Sequence, residues 1–430
     1  MRQINQTKMI IIGAFLLERM KSISKMNSLR SWIICCFFNF LIAAILGLVM
    51  RFNYLFSLEG INYIYLLHAH SHVAMLGWAY LMIYSLVVYF FIPKDKSTKP
   101  VYNQLFWSTQ LSVIGMMISF PIQGYALFSI VFSTLHILLS YVFCWLVWSD
   151  CKNEKSSENV LLKAAILFMV FSTFGVWCLG PTINMLGKQS AFYQIAIQFF
   201  LHFQFNGWFL FAVLALFVKQ FKNKIDEAKF RKLITLLVVA TFLTVAFPIS
   251  WYVENNFLKW INAFGVVFQL LAFAFGYQML KCQINFFKRS LNTLSKLVYG
   301  LALCSLFFKV IIQLLVLIPN IAVVSHQIRS LIIGFIHLTT LGIITGFLLG
   351  VLIQNKLLPQ HSFLFKKGVK YFFYGYIITE LLLFIQGIFF YCNKAFVVGY
   401  YESVFGASAL LVAGLILILI SMLKTKTRLD

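Results

Sequence analysis

Long apolar runs separated by short polar interruptions make up nearly the whole chain. Runs of spanning length fall at about 31–50, 62–92, 104–122, 125–149, 160–183, 190–218, 233–252, 258–280, 297–319, 327–354, 371–391 and 398–423. A helix needs roughly 20 apolar residues to cross a bilayer. Inside lipid every backbone N–H and C=O needs an internal partner, so only helices and closed barrels span. Barrel strands alternate apolar and polar residues, whereas these runs are unbroken. The pattern predicts an all-α, polytopic integral membrane protein with about twelve transmembrane helices in a single bundle. Residues 1–30 read as a cytoplasmic leader, 31–423 as the transmembrane domain and 424–430 as a cytoplasmic tail. Within the leader, Met9 to Leu17 is apolar but too short to span, and Glu18, Arg19 and Lys21 follow it without a small-residue cleavage site. No soluble domain, low-complexity tract or clear internal repeat is evident.

Composition agrees with this pattern. Hydrophobic residues make up 61% of the chain and charged residues 11%, where a soluble domain carries about a quarter charged. The net charge of +23 does not point to nucleic acid, because 29 of the 35 Lys and Arg fall on one set of alternate segments. Loops 219–232 and 281–296 are the clearest of them. Cytoplasmic loops are the basic ones, so both termini are expected in the cytoplasm, in a membrane of the bacterial inner type. Arg51, Lys188, Lys259, Arg329 and Lys394 then lie outside, with Lys309 within a helix. The eight cysteines contain no CxxC, which excludes a zinc ribbon and c-type haem attachment.

The histidines carry the candidate chemistry. Seven of the eight (His68, His70, His72, His136, His202, His326 and His337) lie in or at the edge of an apolar run, and His361 sits in an inner loop. Ionisable residues at bilayer depth are costly and mark functional paths or ligand sites. Apart from His326, at the outer interface, these histidines sit on even-numbered runs, roughly 6–12 residues from the outer end, or about 9–18 Å deep. Four helices thus put imidazoles in one layer. At 100° per residue, His68 and His72 share one face of the second helix and His70 points nearly opposite, so that helix serves two sites. Ala69, Ser71, Ala74 and Gly77 let a flat ring approach closely. Imidazole ligates haem iron and also zinc and copper. The candidate cofactor ligands are His68, His70, His72 and His337, and the candidate metal ligands His202 and His136. The bland alternative has these histidines hydrogen-bonding backbone carbonyls between helices.

Twelve helices with histidines on the second, sixth and tenth resemble subunit I of the haem-copper oxidase superfamily. HAHSHVAMLGW (His68 to Trp78), LHFQFNGWFLFAVLALF (Leu201 to Phe217) and IIGFIHLTTLGIITGFLLG (Ile332 to Gly350) carry the resemblance. The first is similar to a motif of the C-type oxidases, where it belongs to helix 10. Membrane haem proteins of the NnrS type are a neighbouring family. The resemblance implies that His337 and one of His68, His70 and His72, expected to be His68 or His72, ligate a low-spin haem b, with a second metal or haem near His70 and His202. It also implies that His202 matches the helix 6 metal ligand. Two departures stand out. The seventh run has no histidine, so the paired copper ligands are missing. Phe335 stands where a second helix 10 ligand would be.

The expected function is therefore a haem b-binding membrane protein, with one or two haems and a copper or other metal ion as a further cofactor. Its role would be electron transfer or the handling of O2 or NO, as a divergent oxidoreductase. A quinol or cytochrome donor and partner subunits are the expected partners besides the lipid bilayer; nucleic acid is not one. The alternative is a transition-metal transporter or channel built on the histidine cluster, disfavoured by the scarcity of deep carboxylates. Lys309 and Glu380 lie near mid-membrane. They read either as a proton path, paired with each other, or as simple helix–helix contacts.

Overall fold

The computed structural model describes residues 2–151, 156–221 and 226–425, with side chains from Ser28 onward except at 284 and 286–288. The leader's Glu18, Arg19 and Lys21 side chains and the tail beyond Thr425 lie outside the described residues. The protein is all-helical across these residues, and twelve helices are long and apolar enough to cross a membrane. They are α1 Arg2–Leu55 (spanning from Ser28), α2 Tyr63–Phe91, α3 Pro100–Gln123, α4 Leu127–Asp150, α5 Ser157–Leu186 and α6 Ala191–Val218. The second half comprises α7 Glu227–Ile249, α8 Asn256–Ser290, α9 Thr293–Leu315, α10 Arg329–Gln354, α11 Phe363–Tyr391 and α12 Tyr400–Lys424.

The helices differ from the apolar runs mainly at their ends. The helix of α1 is continuous through the expected leader. The first ten residues of the expected 281–296 loop are the last turns of α8. A short helix, Pro319–Gln327, connects α9 to α10. Polar side chains cap several starts. Asn62 accepts from the amides of Ile64 (3.0 Å) and Tyr65 (3.3 Å) before α2. Ser190 accepts from Tyr193 before α6. Asp226 accepts from Ala228 and Lys229 before α7, and the Lys229 backbone N–H helps hold its carboxyl below the usual range.

Contacts between helix ends define the two ends of the bundle. At one, Arg329 donates to the Tyr63 hydroxyl at 3.1 Å and Tyr54 stacks on Tyr401. At the other, Lys219 pairs with Glu158 at 3.1 Å and Asn355 donates to Gln220. These are called the Tyr63 end and the Lys219 end. Exposed apolar side chains such as Ile122, Trp145, Phe128 and Leu111 face outward around the bundle, as a lipid contact requires.

Three helices form the centre. In α10, α2 and α6, 78%, 72% and 67% of the spanning window is buried, against 17–56% in the other nine. All three change from α- to π-helix immediately after a histidine: Val73–Tyr80 follows His72, Phe203–Phe209 follows His202, and Leu338–Ile344 follows His337. A glycine stands five residues beyond each histidine, at Gly77, Gly207 and Gly342. Each glycine packs tightly against the helix that precedes its own. A Cβ at Gly77 would lie 3.0 Å from Asn39 of α1, one at Gly207 would lie 2.6 Å from Phe168 of α5, and one at Gly342 would collide with Ser305 of α9. The same register recurs every fourth helix. Toward the Lys219 end the central helices are packed with buried apolar side chains, including Leu81 to Tyr84, Leu210 to Val213 and Phe347 to Leu349.

Candidate functional site

The π-segments set where the histidines sit. A π-turn widens the helix by a residue and is frequent at functional sites. Here each begins as the helix leaves the histidine layer for the apolar half. The layer lies toward the Tyr63 end, and its side-chain contacts fall into three groups, called compartments here.

The first compartment lies among α2, α3, α4 and α6. His72 donates through Nδ1–H to the His68 carbonyl at 2.8 Å, and its Nε2 lies 3.2 Å from the Tyr125 hydroxyl. Its ring packs on Phe120 at 4.3 Å. His68 stands edge-on to Tyr125 at 4.6 Å. His136, on α4, is buried, meets Tyr80 edge-on at 4.8 Å, and lies within electrostatic reach of His72. His136 Nε2 has no hydrogen-bond partner among the described residues.

The second compartment lies between α6 and α7. His202 donates from Nε2 to the Thr241 carbonyl at 2.8 Å, and its Nδ1 accepts from Asn206 at 3.3 Å. Both ring nitrogens are therefore engaged by the protein, and neither is open to the metal expected there. Lys309 is buried nearby and donates to Gln313 at 2.9 Å, with its ammonium 5.6 Å from the Phe335 ring. Gln269 donates to the same Gln313 oxygen. Among the described residues the expected pairing of Lys309 with Glu380 is not formed: Lys309 donates to Gln313, and Glu380 lies 3.9 Å from His337.

The third compartment lies among α1, α2, α10 and α11. As 100° per residue requires, His70 points away from His68 and His72. Its Nδ1 lies 2.8 Å from the Ala43 carbonyl of α1. A carbonyl only accepts, so Nδ1 carries the proton and Nε2 keeps its lone pair. The ring lies against Gly47, one turn beyond Ala43, where a Cβ would come within 3.0 Å of it. His337 lies within electrostatic reach of His70 and Arg51. Its Nδ1 is 3.9 Å from a carboxylate oxygen of Glu380 on α11. Neither that nitrogen nor either Glu380 oxygen has a hydrogen-bond partner among the described residues. Arg51 of α1 also lies within electrostatic reach of Glu380.

His337 thus lies within electrostatic reach of His70, and His136 of His72, while His202 engages Thr241 and Asn206. His326 stacks on Trp251 at 5.3 Å near the Tyr63 end, and His361 is exposed. Gly47, Arg51 and Tyr125 were missed as site residues. The spacing of Ala43 and Gly47 is the one local sign of the α1 face. Among the described residues no three His, Cys, Asp or Glu side chains are grouped to hold a metal ion. No protein-family model matches the chain, and no curated protein matches it.

Proposed function

We propose that the chain is a haem b-binding membrane protein whose iron ligands are His70 and His337, and that it works in electron transfer or diatomic-gas handling. The observation that carries this reading is the third compartment. There His337 of α10 lies within electrostatic reach of His70 of α2, and His70 offers an Nε2 lone pair because Ala43 holds its other nitrogen. The residues present fit the group in chemistry. Imidazole nitrogen is a haem-iron donor, and Gly47 keeps α1 from crowding the His70 ring. Bound haem, held by His70 and His337, would supply one-electron chemistry and a centre for diatomic binding. The protein's part is to hold and bury it. Arg51 supplies a positive charge at the Tyr63 end of the compartment, suited to the acidic side chains of a macrocycle. The apolar packing toward the Lys219 end excludes water below it.

His68 and His72 fall outside this ligand set, since they face the first compartment. The Lys and Arg asymmetry supports a bacterial inner membrane with both termini in the cytoplasm, which puts the haem in the outer half of the bilayer. A quinol or a cytochrome is then the donor, with partner subunits around the bundle. The test is haem content. Protein purified in mild detergent from haem-replete cells should carry about one haem b per chain, the stoichiometry of a single bis-histidine site. Near-stoichiometric protein without haem overturns the reading.

A further inference from the structure

The first compartment contains buried polar groups that the haem site does not use. Tyr80, His136 and Trp208 come from three different helices and are 1%, 3% and 0% exposed. Their rings adjoin, with Tyr80 4.8 Å from His136 and 6.0 Å from Trp208. The Tyr80 hydroxyl, His136 Nε2 and Trp208 Nε1 have no hydrogen-bond partner among the described residues. Leaving such a group unmet is costly, and lipid offers no compensation. Neighbouring residues of the same kind are satisfied by protein alone. Tyr84, one turn further along α2, donates to the Tyr102 carbonyl at 2.6 Å, and Trp78 donates to Thr345 at 2.9 Å.

The three groups form a complementary set. The indole can only donate, the phenol donates and accepts, and the imidazole nitrogen takes whichever role its tautomer leaves. A buried water typically makes about three hydrogen bonds to such groups. A line of polar side chains also joins them to the surface. Tyr125, in the turn between α3 and α4, is 52% exposed, and its hydroxyl reaches His72 Nε2. His72 in turn lies within electrostatic reach of His136.

We propose that this compartment is a hydrated inlet. Ordered water bridges Tyr80, His136 and Trp208 and exchanges with bulk solvent past Tyr125 and His72, separately from the α2–α10 haem site. The ligand class is water, held at the point where α2 and α6 pass from the histidine layer into the apolar half.

Hydroxyl-radical footprinting of the full chain in detergent, read by mass spectrometry, tests this, because radicals formed from ordered water modify the side chains beside it. Tyr80 should be modified about tenfold faster than Tyr84, and Trp208 about tenfold faster than Trp78, as water at hydrogen-bond distance requires. A brief pulse of heavy-oxygen water should place the heavy isotope in both products. His136→Phe should slow modification of Tyr80 and Trp208 and leave Tyr84 and Trp78 unchanged. Wild-type rates equal to those of the two controls overturn the proposal whether or not the variant folds. Modification without the heavy isotope overturns the exchange with bulk.

Discussion

A histidine at bilayer depth acts as a ligand or as a strut according to what its ring nitrogens already do. His202 has the environment of a strut, with Nε2 on Thr241 and Nδ1 on Asn206. His70 has one nitrogen held and one open, which is the usual arrangement of a metal-bound imidazole. The distinction predicts opposite outcomes for the same substitution. His202→Ala should lower stability by about 1–3 kcal/mol, from one lost interhelical hydrogen bond, one lost within α6, and a cavity, and leave haem content unchanged. Denaturation in detergent and haem assay on the same samples check both halves. Haem loss without destabilisation would make His202 a ligand. At this scale the sequence was partly legible. Depth picked out the histidine layer, and helical spacing put His70 opposite His68 and His72. Which neighbour takes each nitrogen depends on residues far along the chain, such as Ala43 for His70 and Thr241 for His202, and no local spacing encodes that.

The elements were legible in number because each crossing needs a long apolar run, and lipid enforces that rule everywhere. Their ends were less so. The last turns of α8 and the Pro319–Gln327 connector are polar or mixed helix beyond the apolar stretch, where hydropathy carries no signal. The π-segments were not legible either, since a π-turn uses the same apolar residues as an α-turn. Their glycines give the element-scale prediction. A Cβ at Gly207 would lie 2.6 Å from Phe168, and that ring is hemmed in by Phe203, Phe211 and Phe242. Gly207→Ala should therefore destabilise the bundle by about 1–3 kcal/mol, the usual cost of overpacking. Gly300→Ala meets nothing within 4 Å and should be neutral or slightly stabilising in a helix. Thermal denaturation of the two variants side by side checks this. Equal stability would mean that α5 and α6 have room to separate.

Across the whole molecule, three central helices share a π-segment after a histidine, and the compartments beside them hold different residues. One holds the imidazoles of His70 and His337, one a buried lysine among amides, and one the aromatic and imidazole groups of the inlet. The closed apolar packing toward the Lys219 end favours a bound cofactor over a path running through the centre, and so favours the haem reading over transport. The proposed orientation has its own check in native cysteines. Cys392, between α11 and α12, and Cys282, near the Lys219 end, are both exposed. A membrane-impermeant maleimide should label Cys392 in spheroplasts and Cys282 only after permeabilisation; the reverse would invert the topology. The central claim, haem held between α2 and α10, is tested most directly by reduced-minus-oxidised visible spectra of the wild type, His70→Ala, His337→Ala and His202→Ala in mild detergent. Sharp b-type α and Soret bands in the wild type and His202→Ala, lost or strongly altered in the other two, are the predicted result. A featureless wild-type spectrum, or bands that survive both the His70 and the His337 substitutions, would contradict it.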